Sequence, residues 1–188
     1  MPGGASGSKA NFAAAMRAIA FYNGPFLQLV QDHASAEKLD QAMKKEGVRV
    51  DAKRGVWVLG PHTLSEWPPN NPFLMEAARL GAAEIVDRLG RHYKCSAGPK
   101  GKDGGSALHQ AASFGHADVV ATLLDLRADP KHQNRKGKTA LDSARQGLED
   151  WKSGKFKFPT LSGQKYVFDF RTRDASWPQW EKVIRRLS

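Results

Sequence analysis

Leucine returns through the middle of this chain at a fixed long interval. Leu74 to Leu108 is a step of 34 residues, and Leu108 to Leu141 is a step of 33. A period of that length constrains the fold more than any local propensity does. It marks a repeated supersecondary unit that cannot bury its apolar side alone. Such units must stack, each covering its neighbour, and the units at the two ends are atypical.

The residues around Leu108 say what one unit is. Ser106, and Thr139 one unit later, are hydroxyl residues placed where an apolar helical run begins, so they can accept from unpaired first-turn N–H groups. Ala111 and Ala112 are small enough for two antiparallel helices to approach closely. Gly115 admits the positive φ that ends the first helix. Val119, Val120, Leu123 and Leu124 then recur at helical spacing and form an apolar face that a lone helix pair leaves open.

Written out, the unit is a turn at Asp103-Gly104-Gly105, a helix start at Ser106-Ala107-Leu108-His109, a break at Gly115-His116 and an exit at Ala128-Asp129. The next begins at Gly137-Lys138-Thr139-Ala140-Leu141. This pattern resembles an ankyrin repeat running into the start of another. Pro72 to Arg91 resembles a further copy, with Leu74, Ala77, Ala78, Gly81, Ile85 and Val86 in matching places. Phe26 to Asp51 resembles a degenerate first copy. There are departures: the family proline is alanine at Ala107 and Ala140, and His109 becomes Asp142 one unit later. Loss of a fixed φ and of a hydrogen bond predicts a less regular last unit, one that loses register at Gly147, Asp150 and Trp151 as a terminal cap would.

Outside the repeats the pattern changes. The first ten residues are rich in Gly and Ser and read as flexible, and Phe12, Met16, Ile19 and Ala20 predict a helix. Gly55 to Asn71, with Trp57, Trp67, Pro68 and Pro69, is too long for the usual turn and too rich in proline for a helix; it reads as an extended loop or a binding finger. After residue 151, Phe156 and Phe158, then Tyr166, Phe168 and Phe170, alternate with polar residues, which predicts a β-hairpin whose rings share one face. Ser176 and Gln179 form a capping-box pattern before a closing helix striped by Trp177, Trp180, Ile184 and Leu187. The expected fold is therefore mainly α, a short ankyrin-repeat solenoid with a C-terminal β-hairpin and terminal helix. Its expected segments are 1–10, 11–71, 72–151 and 152–188.

Several function classes are disfavoured. No apolar run reaches the roughly 18 residues that span a bilayer. Cys95 is the single cysteine, so no intrachain disulfide forms and a reducing, cytoplasmic setting is the simpler expectation. Residues 1 to 31 contain Lys9 and Arg17 but no acid, a faint transit-like composition that leaves an organelle as the alternative. Ser106, His109 and Asp142 invite comparison with a catalytic triad. But His109 matches the histidine that in ankyrin repeats has a structural role, and no nucleophile elbow accompanies it. His92 and Cys95 lack a second ligand pair at zinc spacing, and Gly101 to Gly105 lacks the ending of a phosphate-binding loop. Catalytic residues, cofactor and metal are all expected to be none.

Binding remains. The resemblance implies a contact surface made of turn tips and the open side of each first helix, with a protein as partner. On this sequence it selects Arg79, Leu80, Lys102, Asp103, Gln110, Ser113, Phe114, Arg135, Lys136 and Lys138, with Phe114 as an aromatic anchor. The net charge of +10 suggests a second attachment. Residues 152–188 hold nine basic against three acidic residues, whereas 102–151 balance at seven each. Lys155, Lys157, Lys165, Arg171 and Arg173 are the tail cations placed to meet an acidic surface. RNA in a ribosome-like assembly is the alternative partner.

Overall fold

A computed structural model describes residues 22–51, 56–59, 62–64, 72–98, 101, 103–158 and 176–188. The expected flexible start at 1–10 and the helix over 11–20 lie outside them. A π-helical turn Tyr22–Phe26 runs into α1 Leu27–Gln31, and α2 Ala36–Lys45 follows. Three strands come next: β1 Val48–Asp51, β2 Val56–Leu59 and β3 His62–Leu64. Then come α3 Pro72–Arg79, α4 Ala83–Arg91, α5 Ala107–Ser113, α6 Ala117–Asp125, α7 Ala140–Lys152 and α8 Trp180–Leu187.

The described helices stack as four pairs. Within each later pair an inner helix lies against an outer one: α3 on α4, α5 on α6, α7 on α8. Between pairs, inner helices meet inner helices (α1, α3, α5, α7) and outer meet outer (α2, α4, α6, α8). One continuous core results. It runs from Phe26, Val30, Leu39 and Met43 through Leu74, Ile85 and Leu89 to Leu108, Val120 and Leu123, and ends on Trp180 and Val183. Phe26 meets Phe73 edge-on at 4.5 Å and joins the first pair to the second. Outside the core, Glu84 accepts from the Ala36 N–H at 2.9 Å, and Arg88 pairs with Asp40 between the outer helices α2 and α4.

The fourth pair corrects the expectation of a truncated cap. Helix α7 is unbroken over 13 residues through Gly147 and Trp151. Its partner α8 is separated from it by 27 residues of chain, 153–179, yet it packs on α7 and α6 as α6 packs on α5 and α4. The terminal helix is thus the outer helix of the last unit.

What seats it is a contact made twice. Gly81 ends α3 with φ of +81°, and a Cβ there would lie 2.8 Å from the ring of His116. The same His116 donates through Nε2 to the Arg79 carbonyl at 3.1 Å. One unit on, Gly115 ends α5 with φ of +70°, and a Cβ would lie 3.0 Å from the Trp180 ring. Trp180 Nε1 donates to the Ser113 carbonyl at 3.2 Å. Residues 79 and 113, like 81 and 115, are 34 apart, so Trp180 performs for the last unit what His116 performs for the one before. Trp177 Nε1 and the Gln179 backbone N–H satisfy the Phe114 and Gly115 carbonyls at 2.7 and 3.2 Å. These are carbonyls that a helix end leaves without partners.

Three further expectations change. Val56 to Leu64, expected as loop or finger, supplies β2 and β3 of an antiparallel sheet in which Val50 pairs with Trp57 and Trp57 with Leu64. Valine and tryptophan favour strand, and pairing satisfies backbone groups that a bare loop leaves open. The hairpin expected from Phe156 onward finds no strand in its described part, 155–158; the rest lies outside the described residues. There Lys155 and Phe156 donate their N–H groups back to the Asp150 carbonyl, and Phe156 and Phe158 stack edge-on with Trp151. Finally α8 starts at Trp180, with no side-chain cap from Gln179. The expected capping box does not form because residues 177–179 turn toward the end of α5 instead.

The leucine period is only partly an equivalence. Leu74 and Leu108 are 1% and 0% exposed, while Leu141 is half-buried. All three sit at the start of an inner helix, but among the described residues no further pair covers the far side of α7.

Candidate protein-binding surface

The described residues of the connection before α5 and of the connection before α7 are pinned together. His109 is 5% exposed; its Nδ1 accepts from the Ser106 N–H at 3.3 Å and its Nε2 donates to the Lys138 carbonyl at 3.0 Å. His132 Nε2 donates to the Gly104 carbonyl at 2.8 Å, and the Arg135 N–H to the Asp103 carbonyl at 2.9 Å. Burial holds His109 below the usual imidazole range, so at neutral pH it stands uncharged with one nitrogen accepting and one donating.

One unit later Asp142 takes its place. Asp142 Oδ2 accepts from the Thr139 N–H at 2.9 Å and the Asp142 N–H donates back to Thr139 Oγ1 at 3.2 Å, a complete capping box. Those hydrogen bonds hold the carboxyl below its usual range. The expected irregularity of this unit is thereby corrected: histidine is needed only where a further turn must be reached, and a carboxylate suffices to cap the helix. The triad residues are all engaged in this way. Ser106 is 3% exposed beside His109, and Asp142 bonds Thr139.

The sequence-selected residues are placed unevenly. Asp103, Arg135, Lys136 and Lys138 are exposed on the turns, and Gln110 and Ser113 are half-exposed on α5. Leu80 is not on the surface; at 0% exposed it belongs to the core. Arg79 is held in an ion pair by Glu76. Phe114 is half-buried and meets Phe156 edge-on at 5.9 Å, so the expected open anchor is instead the floor of a ring cluster with Trp151, Trp177 and Trp180. Lys155 and Lys157 are exposed. Lys102, Lys165, Arg171 and Arg173 lie outside the described residues.

Between α5 and α7 the inner face opens into a cleft of about 460 Å3, lined by Ser113, Phe114, Lys138, Gln146, Asp150 and Phe156 among others. Sequence reasoning did not select Ser143 and Gln146, which stand on its wall. Among the described residues no group of three or more His, Cys, Asp or Glu side chains could hold a metal, and no helix is long and apolar enough to cross a membrane.

A family profile described as ankyrin repeats, three copies, matches residues 74–150. Residues 74–150 are ankyrin repeats. The chain is also similar over part of its length to curated proteins. Over 76 residues the chain is 41% identical to the E3 ubiquitin-protein ligase hecd-1 of Caenorhabditis elegans, covering 39% of this chain and 3% of that protein. Over 117 residues it is 32% identical to the E3 ubiquitin-protein ligase Ufd4 of Drosophila melanogaster, covering 61% of this chain and 4% of that protein. It is likewise 32% identical over 114 residues to the BTB/POZ domain and ankyrin repeat-containing protein NH5.2 of rice, covering 61% of this chain and 20% of that protein. The chain thus spans a fifth or less of the length of these relatives. Ankyrin repeats generally mediate protein–protein interaction.

Proposed function

We propose that this chain is a non-catalytic adaptor that holds a protein partner in the cleft between α5 and α7 and along the adjoining turns. The observation that carries the reading is the cleft itself. It is concave and mixes polar side chains with the Phe114 and Phe156 rings, as recognition sites do. Its walls are helices buried in the stack, so little order is lost on binding. The two ligases named above share at most 4% of their length with this chain. What the likeness supports is a recognition module, whether it acts alone or within a larger complex.

The test is affinity capture from native lysate by the full chain, with and without nuclease, set beside the double variant Ser143→Arg with Gln146→Arg. Both side chains line the cleft, and arginine at either fills it without touching the core. Partners should survive nuclease and be lost with the variant. Partners that vanish with nuclease and persist with the variant would replace this reading by an RNA-associated one.

A further inference from the structure

Counted along the chain, residues 102–151 are electrically balanced; folded, they are not. Five of their seven basic residues, Arg127, Lys131, Arg135, Lys136 and Lys138, fall in the single connection 126–139, against one acid, Asp129. The helices on either side carry Asp118, Asp125, Asp142, Glu149 and Asp150. The fold therefore gathers the cations at the turns. All five are exposed, as is Lys94 on the preceding connection, and among the described residues none of the six is ion-paired.

The two carboxylates nearby do not neutralise them. Asp129 Oδ1 accepts from the Lys131 N–H at 2.9 Å, and Asp103 Oδ1 from the Gly105 N–H at 3.0 Å, so each is turned onto its own loop. The loop is also rigid. Asn134 Oδ1 accepts from the N–H groups of Lys136 and Lys138 at 2.9 and 3.1 Å, and the Asn134 N–H donates to the Lys138 carbonyl at 2.9 Å. Together with the His109, His132 and Arg135 bonds to the neighbouring turn, this fixes the backbone on which the cations are displayed. Preorganised charge binds with less loss of entropy than charge on a loose tail.

We propose that the 126–139 turn docks an acidic segment of the protein partner. The proposal rests on the protein-binding reading above and gives its partner a chemistry. Two features favour acidic peptide over nucleic acid. The rings in this region, His109 and His132, bond backbone carbonyls and stand edge-on to each other at 5.7 Å, so they offer no platform for bases. Asp103 and Asp129 would also repel an unbroken phosphate chain, whereas a peptide can place neutral residues opposite them.

The test uses the full chain, a short Glu-rich peptide, and a thymidine oligonucleotide of equal charge. The double variant Arg135→Glu with Lys136→Glu changes side chains whose backbone alone makes the turn's bonds. Arg185→Glu with Arg186→Glu makes the same charge change on exposed positions of α8. The peptide should bind more tightly than the oligonucleotide and lose at least about tenfold in affinity with the turn variant, but less than about twofold with the α8 variant. Replacing Arg135 and Lys136 by Gln should give an intermediate loss, which guards against misfolding as the cause. Carbodiimide coupling should join the peptide to Lys131, Lys136 and Lys138. Tighter oligonucleotide binding, equal losses from both charge reversals, or coupling centred on Lys155, Lys157 and Lys182 would overturn the proposal. If the cleft variants abolish partner capture while the turn variants leave both capture and peptide binding unchanged, the acidic docking site fails and the adaptor reading stands.

Discussion

At the residue scale, His109 and Gly147 each make a claim that can be measured. The folded chain holds His109 uncharged through burial, so its folded pKa is lower than the unfolded value near 6.5. Its contribution to stability is therefore complete above that value and is lost as pH falls through the depressed one. The urea midpoint should drop between neutral pH and pH about 5, and His109→Leu should lower the midpoint at neutral pH while flattening that slope. An unchanged slope in the variant would assign the pH dependence elsewhere. Gly147 lies mid-helix, where Gly→Ala ordinarily stabilises by about 1 kcal/mol. Here a Cβ would run into the Ser113 carbonyl and come within 2.6 Å of Trp180 Nε1. Gly147→Ala should therefore destabilise, as read by thermal melting. His109 was legible as structural from the family pattern. The role of Gly147 was not, because its partner lies 33 residues further on and no local rule links them.

At the element scale, the decisive feature is α8. Its amphipathic stripe was readable, since Trp180, Ile184 and Leu187 recur at helical spacing. Its place was not readable, because 27 residues separate it from α7 and a period search counts sequence distance, not the space a helix fills. The alternation of Phe156 and Phe158 pointed to a strand, but ring packing against Trp151 and bonds to the Asp150 carbonyl hold that stretch in another form. Tertiary contacts outweigh a short alternating pattern. Trp180→Ala should cost about 3–5 kcal/mol, as a large buried ring does. Thr139→Ala, which breaks the cap of α7, should cost about 1 kcal/mol. Chemical denaturation with intrinsic fluorescence and circular dichroism measures both. Equal small losses for the two would place Trp180 at the surface.

At the scale of the whole molecule, the repeats over 74–150 were legible apart from the continuation of α7 through Gly147, because stacking dictates both the 33- to 34-residue step and the small and branched residues within it. The charge pattern was legible only as a sum. A window from 102 to 151 cancels helix acids against turn bases, and the segregation appears once the helices are drawn together and the turns lie on one side. The same folding brings Ser143 and Gln146 to a cleft that no linear motif announces. All of these features depend on a complete last pair, since the cleft wall α7 is held in place by the helix behind it. Hydrogen exchange of the full chain, read by mass spectrometry, tests this most directly. Amides of α8 should be protected to about the same degree as those of α6, and both should lose protection together in Trp180→Ala. Protection of α6 with exchange of α8 at the rate of an unstructured peptide would contradict the account.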